Sequence, residues 1–121
     1  MSTDKTGAQT RISCADGKYT IAVEGELAGH VAVADRGEQR VFYHTEIDQR
    51  FSGRGLATIL VLEALRAARA DRKRVVAVCS MVAAVLTKHP EFGDITDPVT
   101  PDIEHWARSL PQVSAPPRQA R

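Results

Sequence analysis

Residues 44–65 read HTEIDQRFSGRGLATILVLEAL. The stretch joins a strand-like segment to a helix-like one through two glycines that flank an arginine. Glycine loses the most conformational entropy on folding and packs no side chain, so Gly53 and Gly55 at the mouth of a helix need a reason. One reason is a plain strand-to-helix turn. The other is an anion seat, because the first N–H groups of a helix lack intrahelical partners and carry about half a positive charge. Without Cβ atoms at 53 and 55 a bulky phosphate can approach those groups, and Arg54 and Arg50 add fixed positive charge. A P-loop requires Lys followed by Ser or Thr after its second glycine, whereas Leu56 and Ala57 follow Gly55. A dinucleotide fingerprint needs a third small residue, a place Thr58 fills poorly, and a parallel βαβ start that short upstream connections do not allow.

Upstream, Arg11–Cys14, Lys18–Glu24, Leu27–Asp35 and Arg40–Ile47 are predicted strands, separated by Asp16-Gly17, Gly25 and Arg36-Gly37. Connections this short make that part of the sheet antiparallel. In the fourth strand Val41, Tyr43, Thr45 and Ile47 alternate with Phe42, His44 and Glu46, which assigns the two sets to opposite faces. Downstream, residues 55–72 are the strongest helix. Leu56, Ile59, Leu60, Leu62 and Leu65 form a broad apolar surface, against a polar wedge of Glu63, Arg66 and Arg69. RVVAVCS (74–80) has the continuous apolar run of a strand buried on both faces. Ser80 is the predicted N-cap of a second helix, MVAAVLTKH (81–89), which Pro90 stops. GDITDP (93–98) reads as loop, and PDIEHWARSL (101–110) as a short helix with Pro101 in its first turn. The expected architecture is α+β (α/β layered), in the order β-β-β-β-α-β-α, with a mostly antiparallel sheet and two main helices. Residues 1–9 are expected to be flexible and 10–97 to form the domain. Residues 98–121 are expected to be an extension with a short helix, anchored by Trp106 to the body or to a second subunit, and a disordered Pro-rich end.

The chain has 121 residues, enough for one core, with 43% apolar and 26% charged residues. A net charge of +1 gives no field that selects nucleic acid or an anionic membrane. The basic run RAARADRKR (66–74) lacks interleaved aromatics and finishes a helix whose dipole favours cations. LATILVLEAL (56–65) is interrupted by Glu63 and too short to span a bilayer, and MSTDKTGAQTR lacks the apolar segment of a secretory signal. Cys14 and Cys79 show no metal-type spacing and the four histidines are scattered, so no metal is expected. A reduced, cytoplasmic setting is the natural expectation.

Three motifs stand in order: HTEI (44–47) leading into the glycine loop, Cys79 closing VVAVC, and KHPEF (88–92). Together they resemble the GCN5-related N-acetyltransferases, and within them the minimal YjdJ-type subgroup, over roughly residues 10–97. The resemblance implies a splayed pair of strands that admits acetyl-CoA, and an amine acceptor. The coenzyme would be held by Ile47, Arg50, Ser52, Gly53, Arg54, Gly55, Leu56, Ala57 and Thr58, with Lys88 a candidate for its ribose phosphate. It makes Glu46 and His44 candidate bases, alternatively a solvated carboxylate and a packed strand residue. Cys79, between a strand and a helix N-terminus, is a candidate acetyl acceptor or donor to the departing sulfur, alternatively a small buried hydrophobe. His89 is expected to cap a helix C-terminus and Phe92 to pack in the core. Ser52 stands where the family has Arg or Gln, while Arg50 meets the Arg-x-x-Gly-x-Gly pattern two positions early. A module that binds coenzyme A or acyl-CoA without turnover is therefore the alternative. The early helices that usually shape the acceptor pocket are missing, so the expected site is open, in a monomer or a homodimer.

Overall fold

Alternating apolar residues punctuated by tight turns give four antiparallel strands in succession: β1 (Thr10–Ala15), β2 (Lys18–Val23), β3 (Glu26–Arg36) and β4 (Gln39–Ile47). The β2–β3 turn shows why so little chain suffices. Glu24 and Gly25 both take positive φ, 48° and 87°, the two-residue geometry whose twist matches that of the flanking strands. The computed structural model describes residues 7–15 and 17–110. Most of the segment expected to be flexible, the Asp16 turn position and the Pro-rich end from residue 111 lie outside the described residues.

After β4 a short 3-10 turn, Gln49–Phe51, leads into α1 (Leu56–Ala70). Then β5 (Arg74–Ala77) returns parallel to β4 after the helical crossover, and α2 (Ser80–Lys88) follows. A second 3-10 turn, Pro90–Ile95, ends in β6 (Thr96–Asp97), which pairs parallel to β5, and α3 (Pro101–Arg108) closes the described chain. The six strands lie in the order β1-β2-β3-β4-β5-β6. This is the expected α+β layered fold with two corrections. GDITDP, read as loop, carries the edge strand β6, too short to leave an alternation in the sequence. Ser80 is the first residue of α2, and Cys79 takes the cap position expected for Ser80.

α1 lies across one face of the sheet. Its Leu56, Leu60, Val61, Ala64, Leu65 and Ala68 are buried against Tyr19, Ile21, Val31, Val33, Phe42 and Val75. Each large apolar side chain removed from water this way contributes about 1.5–3 kcal/mol. The opposite face is covered at β4 and β5 by α3, where Val41 and Val76 meet Ile103 and Ala107, with Tyr43, Val78 and Trp106 packed around them. Trp106 thus anchors the short helix to the body of this chain. α3 starts cleanly, because the Thr100 hydroxyl accepts from the Ile103 N–H at 3.2 Å and Pro101 needs no partner in the first turn. Among the described residues no helix is long and apolar enough to cross a membrane.

Arg40 ties the layers together. Its guanidinium donates to Asp35 Oδ1 at 2.8 Å, Asp71 Oδ2 at 2.9 Å and the Tyr19 hydroxyl at 2.7 Å. These bonds link β3, β4, β2 and the end of α1. The hydrogen bonds from Arg40 hold the Asp35 carboxyl below the usual carboxylate range, and burial pushes the Tyr19 hydroxyl up.

Two features of β4 create the site. Its ladder with β5 runs from Gln39–Arg74 to Phe42–Ala77, and the Cys79 N–H donates to Phe42 O at 2.9 Å. Beyond Phe42 the strand continues to Ile47 against β3, while the other chain turns away into α2. The expected splay is this parting of β4 and β5. The second feature is a bulge. Val33 faces Phe42 and Ala32 faces His44, so Tyr43 is an extra residue with no counterpart on β3. One extra residue exchanges the faces of everything beyond it. Val41 and Tyr43 therefore lie on the α3 face, while Thr45 and Ile47 lie on the α1 face. The uninterrupted alternation read from the sequence is corrected there.

Candidate active site

The loop between β4 and α1 is anchored before it reaches the glycines. The Asp48 N–H donates to Ala28 O at 2.6 Å, and the Asp48 carboxylate accepts from the Arg50 N–H at 3.0 Å, capping the 3-10 turn. Phe51 is buried, and the guanidinium groups of Arg50 and Arg54 lie 5.2 and 5.3 Å from its ring centroid. One aromatic ring thus orients both cations expected near the phosphate. Arg50 also pairs with Asp48 at 3.4 Å and Glu26 at 3.3 Å.

Gly53 has φ 79°, and a Cβ built on it meets nothing within 4 Å. Gly55, at φ 76°, is the cap residue of α1. It supplies no side-chain hydrogen bond, and the first turn, beginning Leu56-Ala57-Thr58, contains no acid. The positive end of a 15-residue helix therefore lies beside Arg54, next to a loop with room at Gly53. Ser52 is exposed, and its N–H donates to Gln49 O at 3.2 Å inside the turn. Lys88 is the last residue of α2, about 13 Å along the helix axis from the Cys79 end.

Where β4 and β5 part, Thr45 Oγ1 and Cys79 Sγ lie 3.2 Å apart, a hydroxyl–thiol pair in which either atom can donate. Cys79 has extended backbone at the cap of α2 and packs against the main core. His44 and Glu46 alternate with Thr45, so they project to the other face of the sheet. There His44 Nε2 is 3.5 Å from Glu46 Oε1, with their side chains 41% and 45% exposed. The three candidate catalytic residues are thus divided: Cys79 on the α1 face, His44 and Glu46 on the α3 face. Beside His44 is an open hollow of about 230 Å³, lined by Tyr43, His44, Val78, Glu104, Ala107 and Arg108. Burial pushes the Tyr43 hydroxyl up from its ordinary range.

Thr45, His30 and Glu104 were not singled out by sequence. Thr45 meets Cys79 across a gap of 34 residues. His30 faces Glu46 through the β3–β4 register, with its ring centroid 5.9 Å from that of His44. Counting back from the Gly37 turn finds the right hairpin but pairs His30 with Thr45, one place short, because the Tyr43 bulge is not visible in the sequence. Glu104 sits in a helix whose docking face follows only from the position of Trp106.

His89 ends α2 and its Nδ1 lies 3.4 Å from Glu91 Oε2, while Phe92 is buried in the main core as expected.

Residues 18–95 match the pattern of a family described as GCN5-related N-acetyl-transferase. The matched segment contains β2 to α2, the glycine loop and the Thr45–Cys79 pair, and ends before β6 and α3. The NMR solution structure of a GCN5-like protein from Staphylococcus aureus superimposes with a TM-score of 0.59 at 18% identity. The similarity covers 78% of this chain and 95% of that one, and shows a shared fold. Among curated proteins, no sequence matches the chain. The family match covers most of the chain, and with it the geometry of loop and split sheet is accounted for: the chain belongs to the GCN5-related N-acetyltransferases.

Proposed function

We propose that this acetyltransferase takes its acetyl group from acetyl-CoA and passes it to a primary amine through the opening between β4 and β5. The observation that carries the proposal is the α1 N-terminus, which has no side-chain cap, no acid in its first turn and free space at Gly53, beside the point where the strands part. The coenzyme pyrophosphate would rest on residues 52–58, with Arg54 as the nearest cation. The pantetheine arm would follow the strand edge at Glu46 and Ile47 toward Thr45 and Cys79.

Acetyl-CoA supplies a thioester, whose carbonyl carbon is the electrophile and whose sulfur leaves. The protein's work is proton handling on both sides of the sheet. On the α3 face, Glu46 or His44 takes a proton from the incoming ammonium group, leaving the nitrogen lone pair to form the C–N bond. On the α1 face, the Thr45–Cys79 pair stands where the C–S bond breaks and donates a proton to the departing sulfur. The division of candidates between two faces supports direct transfer, in which the amine enters from the hollow and the coenzyme from the helix side. It gives less support to an acetyl-Cys79 intermediate, which would have to be attacked from the coenzyme side. Glu104 and Glu46 near the hollow suit a cationic acceptor such as a lysine side chain or a polyamine.

Calorimetry with coenzyme A, its desulfo form and its 3′-dephospho form tests the seat. Binding retained by the desulfo form supports the pyrophosphate cradle, whereas no heat with coenzyme A at millimolar concentration removes it. A coenzyme-binding module without turnover is the second reading. It is favoured by Ser52 in the family's Arg or Gln position and by the carboxylates that hold Arg50. Coenzyme A release with a panel of amines separates the two, since tight binding with release no faster than spontaneous thioester hydrolysis selects the module.

A further inference from the structure

We propose that His30, His44 and Glu46 form a binding site for a divalent transition ion of the zinc class. The inference stands on these three donors alone, and an ion held there would occupy the groups named above as candidate bases.

The donors are brought together by the bulge at Tyr43. It places His30 opposite Glu46 and leaves His44 two residues away on the same face. One ring nitrogen of each histidine and one Glu46 oxygen all lie within 4.8 Å of one another. A point equidistant from three atoms at that separation is about 2.8 Å from each, against zinc–ligand bonds of about 2.0–2.2 Å. Movements of well under 1 Å therefore close the site. The His44–Glu46 edge, at 3.5 Å, is already near the ligand–ligand spacing of about 3.3 Å that tetrahedral zinc sets.

Burial favours the arrangement too. His30 is 2% exposed and fixed in the middle of β3, so one ligand is pre-positioned. His44 and Glu46 are each less than half exposed, which gives an ion an entry path and leaves open positions for water. Two imidazoles and one carboxylate are borderline donors, suited to zinc, cobalt or iron(II) rather than calcium or magnesium. Another histidine–carboxylate pair among the described residues, His89 and Glu91, has no third donor grouped with it.

The test is a Co²⁺ titration of the purified chain without an affinity tag, followed by visible absorption, with Zn²⁺ added afterwards as competitor. We expect one ion per chain, a Kd below about 0.1 mM, and displacement by Zn²⁺, the tighter-binding ion in the divalent series. His30→Asn, His44→Asn and Glu46→Gln should each weaken binding by about tenfold or more. Cys79→Ser and His89→Asn should leave it unchanged. Because His30 is buried, its variant is checked by circular dichroism, and the two partly exposed variants decide the matter if it does not fold. No saturable absorption at 1 mM Co²⁺ overturns the proposal. Binding that survives in both His44→Asn and Glu46→Gln, or is lost with Cys79→Ser or His89→Asn, does the same.

Discussion

Gly29→Ala is the sharpest probe of how the sheet holds the site. Gly29 pairs with Ile47 at the far end of the β3–β4 ladder, in ordinary strand backbone, so its identity is not dictated by φ. It is dictated by space. A Cβ there lies 2.5 Å from Glu46 O and 2.5 Å from Ile47 Cδ1. Ile47 Cδ1 ends a flexible side chain and can rotate aside, but Glu46 O is main chain. Restoring a contact of about 3.4 Å requires the strands to part by about 0.9 Å at the residues that border the proposed coenzyme cleft. Overpacking of this kind costs about 1–3 kcal/mol, from which the lower unfolded-state entropy of alanine recovers about 0.5–1 kcal/mol. The net lies between about 0 and 2.5 kcal/mol, and because the clash is with main chain the upper part is expected, about 1–2 kcal/mol or a fall in Tm of about 4–16 °C. Differential scanning calorimetry reads it directly, and coenzyme titration of the folded variant should show weaker binding. Gly53→Ala is the contrasting control, because its added Cβ meets open space while its φ of 79° penalises any L side chain by about 1–2 kcal/mol. A Gly29→Ala protein that melts within about 2 °C of wild type and binds the coenzyme normally would refute the argument from the ladder end.

Arg40→Met should destabilise the fold by about 1–3 kcal/mol, chiefly by stranding the buried Tyr19 hydroxyl, and an unchanged urea midpoint would contradict this. Stability should fall in acid. Asp35, through hydrogen bonds from Arg40, and Asp97, through those from Gln39 and then Arg74, are held below the ordinary carboxylate range. Both carboxyls take up protons less readily folded than unfolded, so their contribution is present above the unfolded value of about 3.9 and fades as pH drops through the lower folded values. Melting temperatures measured from pH 6 to pH 2 should decline mainly below about pH 4, and a flat profile there would contradict the assignment. Thr45→Val should lower kcat for acetyl transfer by about tenfold or more while leaving coenzyme affinity intact, because it removes a proton donor beside Cys79 and keeps the side-chain volume. Trp106→Ala should loosen α3 and raise the acceptor KM, whereas coenzyme affinity, read by calorimetry, should not move.

Local chemistry in the sequence was sufficient for much of this. Turn residues delimited β1 to β4, the 3.6-residue pattern of Leu56, Leu60 and Leu65 marked α1, and Pro90 and Pro101 bounded the later helices. The glycine loop was legible because the turn into α1 needs positive φ at Gly53 and Gly55. What stayed hidden is non-local. A two-residue edge strand such as β6 carries too few side chains to show a period. The Tyr43 bulge leaves no compositional mark, yet it decides which side of the sheet each of His44, Thr45 and Glu46 faces. Thr45 looks like an ordinary strand residue until β5 brings Cys79 beside it.

The bulge also divides the candidate residues of β4 between the two faces of the sheet. Had β4 alternated without interruption from Phe42, His44 and Glu46 would have pointed into the space beneath α1 that the core occupies. Two charged or polar groups buried there without partners would cost several kcal/mol, and the α1 face would hold His44 and Glu46 together with the Cys79 thiol. With Tyr43 inserted, the apolar end of β4 keeps Phe42 in the core, Thr45 and Ile47 line the helix side, and the ionisable pair emerges beside the hollow that α3 walls. α3 lies outside the segment matched to the family, so one wall of that hollow, with Glu104 and Arg108, comes from beyond the matched segment. Helix α1 and the glycine loop are the parts expected to serve coenzyme binding in any relative, whereas acceptor preference should follow the residues of α3. Replacing Glu104 and Arg108 should therefore alter which amine is used before it alters how tightly the coenzyme is held.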